Sequence, residues 1–146
     1  MAGEAIENGE LLIEQGVIRE IRPTQSPASD ACLDLSDHLL LPGFVNAHCH
    51  LSLSALGGKV PRCEAFTDWV RALLKANLQT SPNERVQALH AEAAKMLRSG
   101  VTTLADTLSD VELLREYATL PFRQVVFLEV LGFRGDKVKE SLEQVV

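Results

Sequence analysis

The feature that most constrains the fold is a regular alternation of strand-like and helix-like segments after Pro42-Gly43. Residues 44–48, 101–105 and 125–131 are apolar or β-branched runs of strand length. Nearly continuous apolar runs of this kind are typical of strands in parallel sheets, which are covered on both faces. Because alternating strands and helices form right-handed crossovers, the sequence predicts an α/β fold with a parallel sheet, either open or closed into a barrel.

The predicted helices are marked by capping residues. Ser81, Pro82 and Glu84 form a capping box with proline at the first helical position, and Gly100 closes the same helix. The spacing of Ser109 and Glu112 repeats the capping box and predicts another helix. A further helix is expected near Asp136. An earlier one is predicted over residues 68–78, and its expected buried face consists of Val70, Leu73, Leu74 and Leu78.

The first 41 residues have a different pattern. Residues 11–14 and 17–21 are short β-type runs separated by Gln15-Gly16, which predicts a hairpin. Residues 33–35 are predicted as a third short strand, after an exposed loop over residues 23–30. We therefore predict a domain boundary at Pro42, with residues 1–41 as a β segment and residues 42–146 as the α/β part.

Composition excludes several classes of function. The 146 residues are 46% apolar, which is enough for an ordinary core, and 14 basic against 20 acidic residues give a net charge of −6. No basic cluster is available to follow a phosphate backbone, so nucleic acid is not an expected partner. No leader-like start or membrane-length apolar run is apparent, and we expect a cytoplasmic protein without membrane contact. The three cysteines, Cys32, Cys49 and Cys63, lack C-x-x-C spacing, and we expect reduced, packed thiols.

The chemically informative triplet is His48-Cys49-His50. Side chains two apart on a strand point to the same face, so both imidazoles can reach one ion. Imidazole nitrogens are good ligands for zinc, iron or nickel. The spacing alone also suits two histidines that are satisfied by backbone partners. The pair lies at the predicted carboxyl end of the first strand, where functional groups collect in parallel barrels.

The residues around this pair resemble a known motif. Residues 41–51, LPGFVNAHCHL, resemble the first-strand motif of the amidohydrolase superfamily, especially its cytosine, guanine and adenosine-type deaminase and chlorohydrolase branch. Residues 100–106 are similar to its second strand, and residues 8–18 look like its N-terminal β module. The resemblance implies an α/β chain that is the N-terminal part of a metal-dependent hydrolase (β/α)8 TIM barrel, about three strands long. A segment of a small β-sandwich domain precedes the barrel.

The same resemblance implies a function. It assigns His48 and His50 to one divalent metal ion, zinc in the first place and iron as the alternative. The implied reaction is hydrolysis of C–N bonds other than peptide bonds, foremost deamination of an amino-substituted nucleobase or nucleoside by metal-activated water. Family members complete this site from later strands, so the catalytic residues are expected beyond Val146.

A second interpretation is an incomplete, inactive fragment that serves as a folding or assembly unit or needs a complementing C-terminal chain. The expected partners are accordingly a small-molecule substrate and either a second copy or that complementing chain.

Three residues are candidates for substrate binding, each with a structural alternative. Leu53 lies in the loop after the histidines, where it either contacts a heterocycle or packs the loop. Trp69 is the single tryptophan, and core packing is the simpler alternative to lining a pocket. Glu129 interrupts the third apolar run and requires a partner, either substrate or a structural ion pair.

Four further residues are predicted to have supporting roles or none. Asp106 is expected to cap a helix or to support the metal ligands, and Asn46 to orient the histidines or to fill the barrel floor. His38 precedes the α/β part and His90 lies within a helix, so neither is expected to be a ligand.

Overall fold

A computed structural model describes residues 4–25, 32–129 and Glu143 of the chain. The helix predicted near Asp136, residues 130–131 of the third strand and most of the 23–30 loop lie outside these residues. Contacts between residues divide the chain into two compact units, Met1–Leu41 and Pro42–Val146.

The first unit contains an antiparallel hairpin. Strand β1 (Gly9–Glu14) pairs with β2 (Val17–Pro23), as the sequence predicts. The turn residues Gln15 and Gly16 have φ of 51° and 75°, the positive values that two-residue hairpin turns require. The strand predicted at residues 33–35 is wrong. Asp34 instead accepts a hydrogen bond from the Ser36 backbone N–H at 3.0 Å, a local turn that competes with strand pairing.

The second unit is built on a three-stranded parallel sheet, which confirms the α/β class. Its order is β3 (Phe44–Cys49), β4 (Val101–Leu108) and β5 (Arg123–Leu128). Strand β4 is longer than predicted, so Asp106 lies within the strand rather than at its end. The helices are α1 (Phe66–Leu78), α2 (Pro82–Arg98) and α3 (Leu114–Tyr117), with 3-10 turns at Leu51–Leu56 and Val111–Leu113.

Helix α2 begins and ends where its capping residues predict. The Ser81 side chain accepts from the Glu84 backbone N–H, and the Glu84 carboxylate accepts from the Ser81 N–H at 3.0 Å. The sequence predicts Ser109 as the N-cap of the next helix, and this prediction is wrong. The N-cap is Asp110, whose side chain accepts the Glu112 N–H at 3.2 Å. That element is also short: a 3-10 turn that leads into the four-residue α3.

The core lies on one face of the sheet, under α2. Its buried members are Leu51, Leu89, Ala93, Leu104, Leu108, Leu113, Tyr117 and Leu120. On the other face, Val45, Val125 and Phe127 are each more than half exposed, so the described residues leave this face uncovered. The buried face predicted for α1 is wrong at Leu74 and Leu78, which are exposed, because α1 packs chiefly on the 3-10 turn that precedes it.

Within the described part of the chain, no helix has both the length and the apolar character that a membrane crossing requires.

Candidate metal centre at the carboxyl end of the sheet

A β-bulge lies between Asn46 and Cys49, the interval that contains His48. The register pairs Asn46 with Leu104 but Cys49 with Asp106, so β3 uses one residue more than β4 over this interval. Bulges re-aim side chains and free a backbone group from the ladder. The Asn46 Oδ1 accepts a hydrogen bond from the His48 backbone N–H at 3.3 Å. Asn46 therefore supports the backbone that carries His48. Of the two roles predicted for Asn46, this contact favours orienting the histidines over filling the barrel floor.

The structure brings the rings of His48 and His50 together. Their centroids are 5.0 Å apart and their planes cross at 83°. Cys49, between them, packs against the core. His48 is exposed, and His50, one residue past the end of β3, is half-buried. Two neighbouring rings in this arrangement can share one cation.

The donor set fits a metal ion in part. The Nδ1 atom of His50 is buried without a hydrogen-bond partner among the described residues. An orphaned buried nitrogen is costly, and a bound ion or an acceptor that orients the ring would satisfy it. Zinc lies about 2.0–2.1 Å from each imidazole nitrogen that binds it. The described residues contain no group of three or more His, Cys, Asp or Glu that could hold an ion, so this pair is a partial site.

The other two histidines are placed elsewhere. His90 lies on α2, and its Nε2 is 2.9 Å from Glu116 on α3. His38 belongs to the first unit.

A buried polar cluster lies behind the histidine pair. Asp106 is fully buried and accepts hydrogen bonds from the Leu51 backbone N–H at 2.8 Å and from the Tyr117 hydroxyl. Burial, followed by the contact with Asp106, raises the pKa of the neighbouring Cys49 thiol to about 12. The pKa of Tyr117 is raised by the same two causes. Both groups therefore stay protonated at neutral pH in the metal-free chain.

All three cysteines are free thiols. The expectation of packed thiols is wrong for Cys32, which is exposed, because it lies in the loop region of the first unit.

The proposed substrate residues occupy different surroundings. Leu53 and His50 line one cavity of about 370 Å³, together with Cys49, Leu51, Ser54, Gly57, Glu92 and Met96. Trp69 is 40% exposed and stacks on Phe66, with ring centroids 5.8 Å apart, so it is not part of the core. The structure thus brings Leu53 to His50, whereas Trp69 stacks within α1.

Glu129 follows β5, so it lies at the same carboxyl end of the sheet as the histidines but on the opposite edge strand. Its backbone N–H donates to the Leu108 carbonyl at 2.8 Å, and its side chain is half-buried. No ion pair of the described residues includes it. Strands in a sheet are about 4.8 Å apart, so two strand spacings, roughly 10 Å, separate Glu129 from the end of β3.

The parallel sheet, with a histidine pair at the carboxyl end of β3, makes this an α/β protein with a candidate metal centre. A model of the amidohydrolase family matches residues 39–145, and the chain belongs to this family. The family is typically metal-dependent.

Several curated proteins are similar to the chain. A 5-methylthioadenosine/S-adenosylhomocysteine deaminase from Pyrococcus furiosus is 30% identical over 108 residues, which are 73% of this chain and 26% of that protein. A 5'-deoxyadenosine deaminase from Methanosarcina barkeri is 28% identical over 102 residues, 69% of this chain and 23% of that protein. The chain thus spans about a quarter of the length of the curated relatives it matches. No solved structure matches it significantly.

Proposed function

We propose that His48 and His50 are two ligands of a catalytic divalent metal ion, with zinc as the first candidate and iron as the second. The observation that carries the proposal is the close, edge-to-face pair of rings at the carboxyl end of β3, in a chain of the amidohydrolase family. Catalytic groups of parallel barrels collect at this end of the strands.

The architecture around the pair supports a barrel. Three parallel strands with helices on one face and an uncovered apolar face on the other are what we expect of the first units of a TIM barrel, whose later strands enclose the interior. On this proposal residues 42–146 form that part of the barrel. Residues 1–41 form a segment of a small β-sandwich domain, and the protein is cytoplasmic.

The proposed reaction is hydrolytic deamination of an amino-substituted purine nucleoside, a small molecule. This substrate class is supported by the relatives, which are named as deaminases of 5-methylthioadenosine, S-adenosylhomocysteine and 5'-deoxyadenosine. Water adds to the amino-bearing ring carbon, the C–N bond breaks, and ammonia leaves as a carbonyl forms. When bound, a metal ion would lower the pKa of the attacking water towards about 7.

The chain's own residues would bind and orient the reactants. The rings of His48 and His50 would hold the ion, and Asn46 fixes the backbone of His48 through its 3.3 Å hydrogen bond. Leu53, beside His50 in the cavity, and the half-exposed Trp69 offer apolar surface to a heterocycle. The Glu129 carboxylate offers an acceptor for a hydroxyl or amino group. The remaining ligands and the general acid/base would come from outside the described residues.

Metal content and ammonia release test this proposal. We expect the chain to bind zinc, and we expect His48→Ala combined with His50→Ala to abolish both that binding and any turnover of 5'-deoxyadenosine. The matched control is His90→Ala, which removes a histidine that pairs with Glu116 and leaves both rings of the site intact. Zinc binding that survives the double substitution, or that is lost in His90→Ala, would contradict the assignment.

A second candidate is an assembly unit without activity of its own, which is favoured by the uncovered face of the sheet. Exposed apolar side chains and unpaired strand edges promote association, here with a second copy of the chain or with a complementing C-terminal chain. Light scattering tests association with a second copy: we expect dimers or larger species that Phe127→Lys reduces. The control is Leu78→Lys, which changes an exposed leucine on α1. A monomeric chain that releases ammonia from the nucleoside would rule out the second candidate.

A further inference from the structure

A carboxylate on the neighbouring strand holds the turn that follows His50. The Asp106 Oδ1 accepts the Leu51 backbone N–H at 2.8 Å. Leu51 begins the 3-10 turn, and His50 is its N-cap residue, whose own side chain makes no capping hydrogen bond. A cap is normally supplied by the N-cap side chain itself. Here it comes from the middle of β4, which leaves the His50 ring free for another partner.

The second oxygen of this carboxylate is held by Tyr117. The Tyr117 hydroxyl donates to the Asp106 Oδ2, and the ring is 1% exposed in the core. Gln124 Nε2 donates to the Tyr117 carbonyl at 2.5 Å, which ties the end of α3 to β5. Both carboxylate oxygens are therefore engaged, and the acid accepts hydrogen bonds from two elements, the 3-10 turn at Leu51 and helix α3 at Tyr117.

The covalent geometry connects this cluster to the histidine ring. The Leu51 nitrogen is bonded to the His50 carbonyl carbon, so anchoring that N–H fixes the ψ angle of His50, which is 72°. The His50 carbonyl accepts from the Leu53 N–H at 3.0 Å and holds the same peptide from its other side. A fixed backbone sets the direction of the His50 side chain. The centroid of its ring lies 5.0 Å from the centroid of the His48 ring.

We propose that Asp106, held by Tyr117, is a positioning residue that orients His50 for metal binding. This inference rests on the proposed function, because it concerns the same pair of ligands. Burial of a carboxylate such as Asp106 is costly. Its hydrogen bond to Leu51, the residue after His50, gives this carboxylate a role in orienting a proposed metal ligand as well as in packing.

Nickel binding to the full chain, measured by calorimetry, tests the proposal. Ni²⁺ is chosen because imidazole sites bind it more tightly than most divalent ions. We expect Asp106→Ala to weaken binding by about tenfold or more, the scale on which outer groups act on metal sites. Asp106→Asn keeps an acceptor for the Leu51 N–H and should stay within about threefold of the native affinity. Amide exchange at Leu51 should become faster in Asp106→Ala but not in Asp106→Asn.

Two controls separate positioning from general loss of structure. Leu113→Ala removes a core side chain that is 4% exposed, and it should lower stability without changing the nickel affinity. Tyr117→Phe removes only the hydroxyl that holds Asp106, and it should weaken nickel binding by at least about threefold. This variant carries the test if Asp106→Ala does not fold.

The outcomes distinguish this inference from the proposed function. Nickel binding that requires both His48 and His50 but is unchanged in Asp106→Ala and Tyr117→Phe overturns the positioning role and leaves the ligand pair standing. An equal loss in Leu113→Ala overturns the positioning role as well. Native chain that binds nickel no better than the double alanine variant of the histidines overturns both.

Discussion

At Gly43, the space available for a side chain is limited by Thr102, a residue distant in the sequence. A Cβ added at residue 43 would lie 2.8 Å from the Cβ of Thr102 and closer still to its Oγ1 and Cγ2. The two residues are far apart in sequence but lie at the start of β3 and β4, where Phe44 N–H donates to the Gly100 carbonyl at 2.8 Å. The absence of a side chain at 43 therefore allows the two strands to approach.

Gly43→Ala is expected to destabilise the protein by about 1–3 kcal/mol, the usual cost of overpacking. Chemical denaturation measures the effect. In a background of Thr102→Gly the same change should cost clearly less, because the contacts that oppose it are gone. The control is Gly57→Ala, whose added Cβ would meet only the Ser54 carbonyl at 3.4 Å. Equal costs in both backgrounds would show that the contact does not limit residue 43.

At the same scale, part of the site could be predicted from sequence. The histidine pair is visible because its spacing and its position at a strand end are local properties. The bulge at Asn46 and the contact between Asp106 and Leu51 are not, because they depend on the register between two strands. The asparagine two residues before His48 is the only local signal, since Asn side chains often bond to backbone groups two residues on.

Among the elements, α2 is defined most completely by local chemistry. Its capping box, its proline and its terminal glycine agree with its observed ends, and Leu89 and Ala93 are buried. Helix α1 shows the opposite case. Its apolar spacing predicts a helix correctly, yet none of its residues is buried, because which neighbour covers a face is not a local property.

The capping box predicts a dependence of stability on pH. Hydrogen bonds from the Ser81 backbone, then from its side chain and from Lys59, lower the pKa of Glu84 below its ordinary value of 4.5. The unfolded chain therefore binds the proton more readily, so this stabilisation is present above about pH 4.5 and is lost as pH falls through the lower folded pKa. Thermal unfolding should show Glu84→Gln less stable than the native chain at neutral pH and nearly equal at pH 3.

The control for this prediction is Glu64→Gln, which changes an exposed acid in the loop before α1. It should match the native chain at both pH values. A difference between Glu84→Gln and the native chain that persists unchanged at pH 3 would show that the ionised box does not stabilise α2.

At the scale of the whole molecule, the two units have unequal cores. Every member of the core cluster lies between Leu51 and Leu120, in the second unit. The hairpin of the first unit has mostly exposed side chains, with ion pairs such as Arg22 to Glu10 on its surface. An isolated two-stranded hairpin is marginally stable in water, so most of the stability of the described residues belongs to the second unit.

Removal of residues 1–41 is therefore expected to leave the thermal unfolding midpoint of the remaining chain within about 5 °C of the native value, a shift that corresponds to roughly 1 kcal/mol. Circular dichroism measures the midpoint. In the intact chain, hydrogen exchange should be fast at the β1 and β2 amides and slow in β4. A large drop in the midpoint after the deletion would show that the first unit contributes to the stability of the second.

The sequence by itself determined the alternation of strands and helices, the hairpin turn, the caps of α2 and the position of the histidine pair. These features follow from periodicity and from hydrogen bonds between residues a few positions apart. Only the tertiary structure decided the pairing register of the strands and the position of the bulge. It also decided that Asp106 supports the turn after His50. Those outcomes depend on the register of strands more than fifty residues apart, which local preferences do not specify.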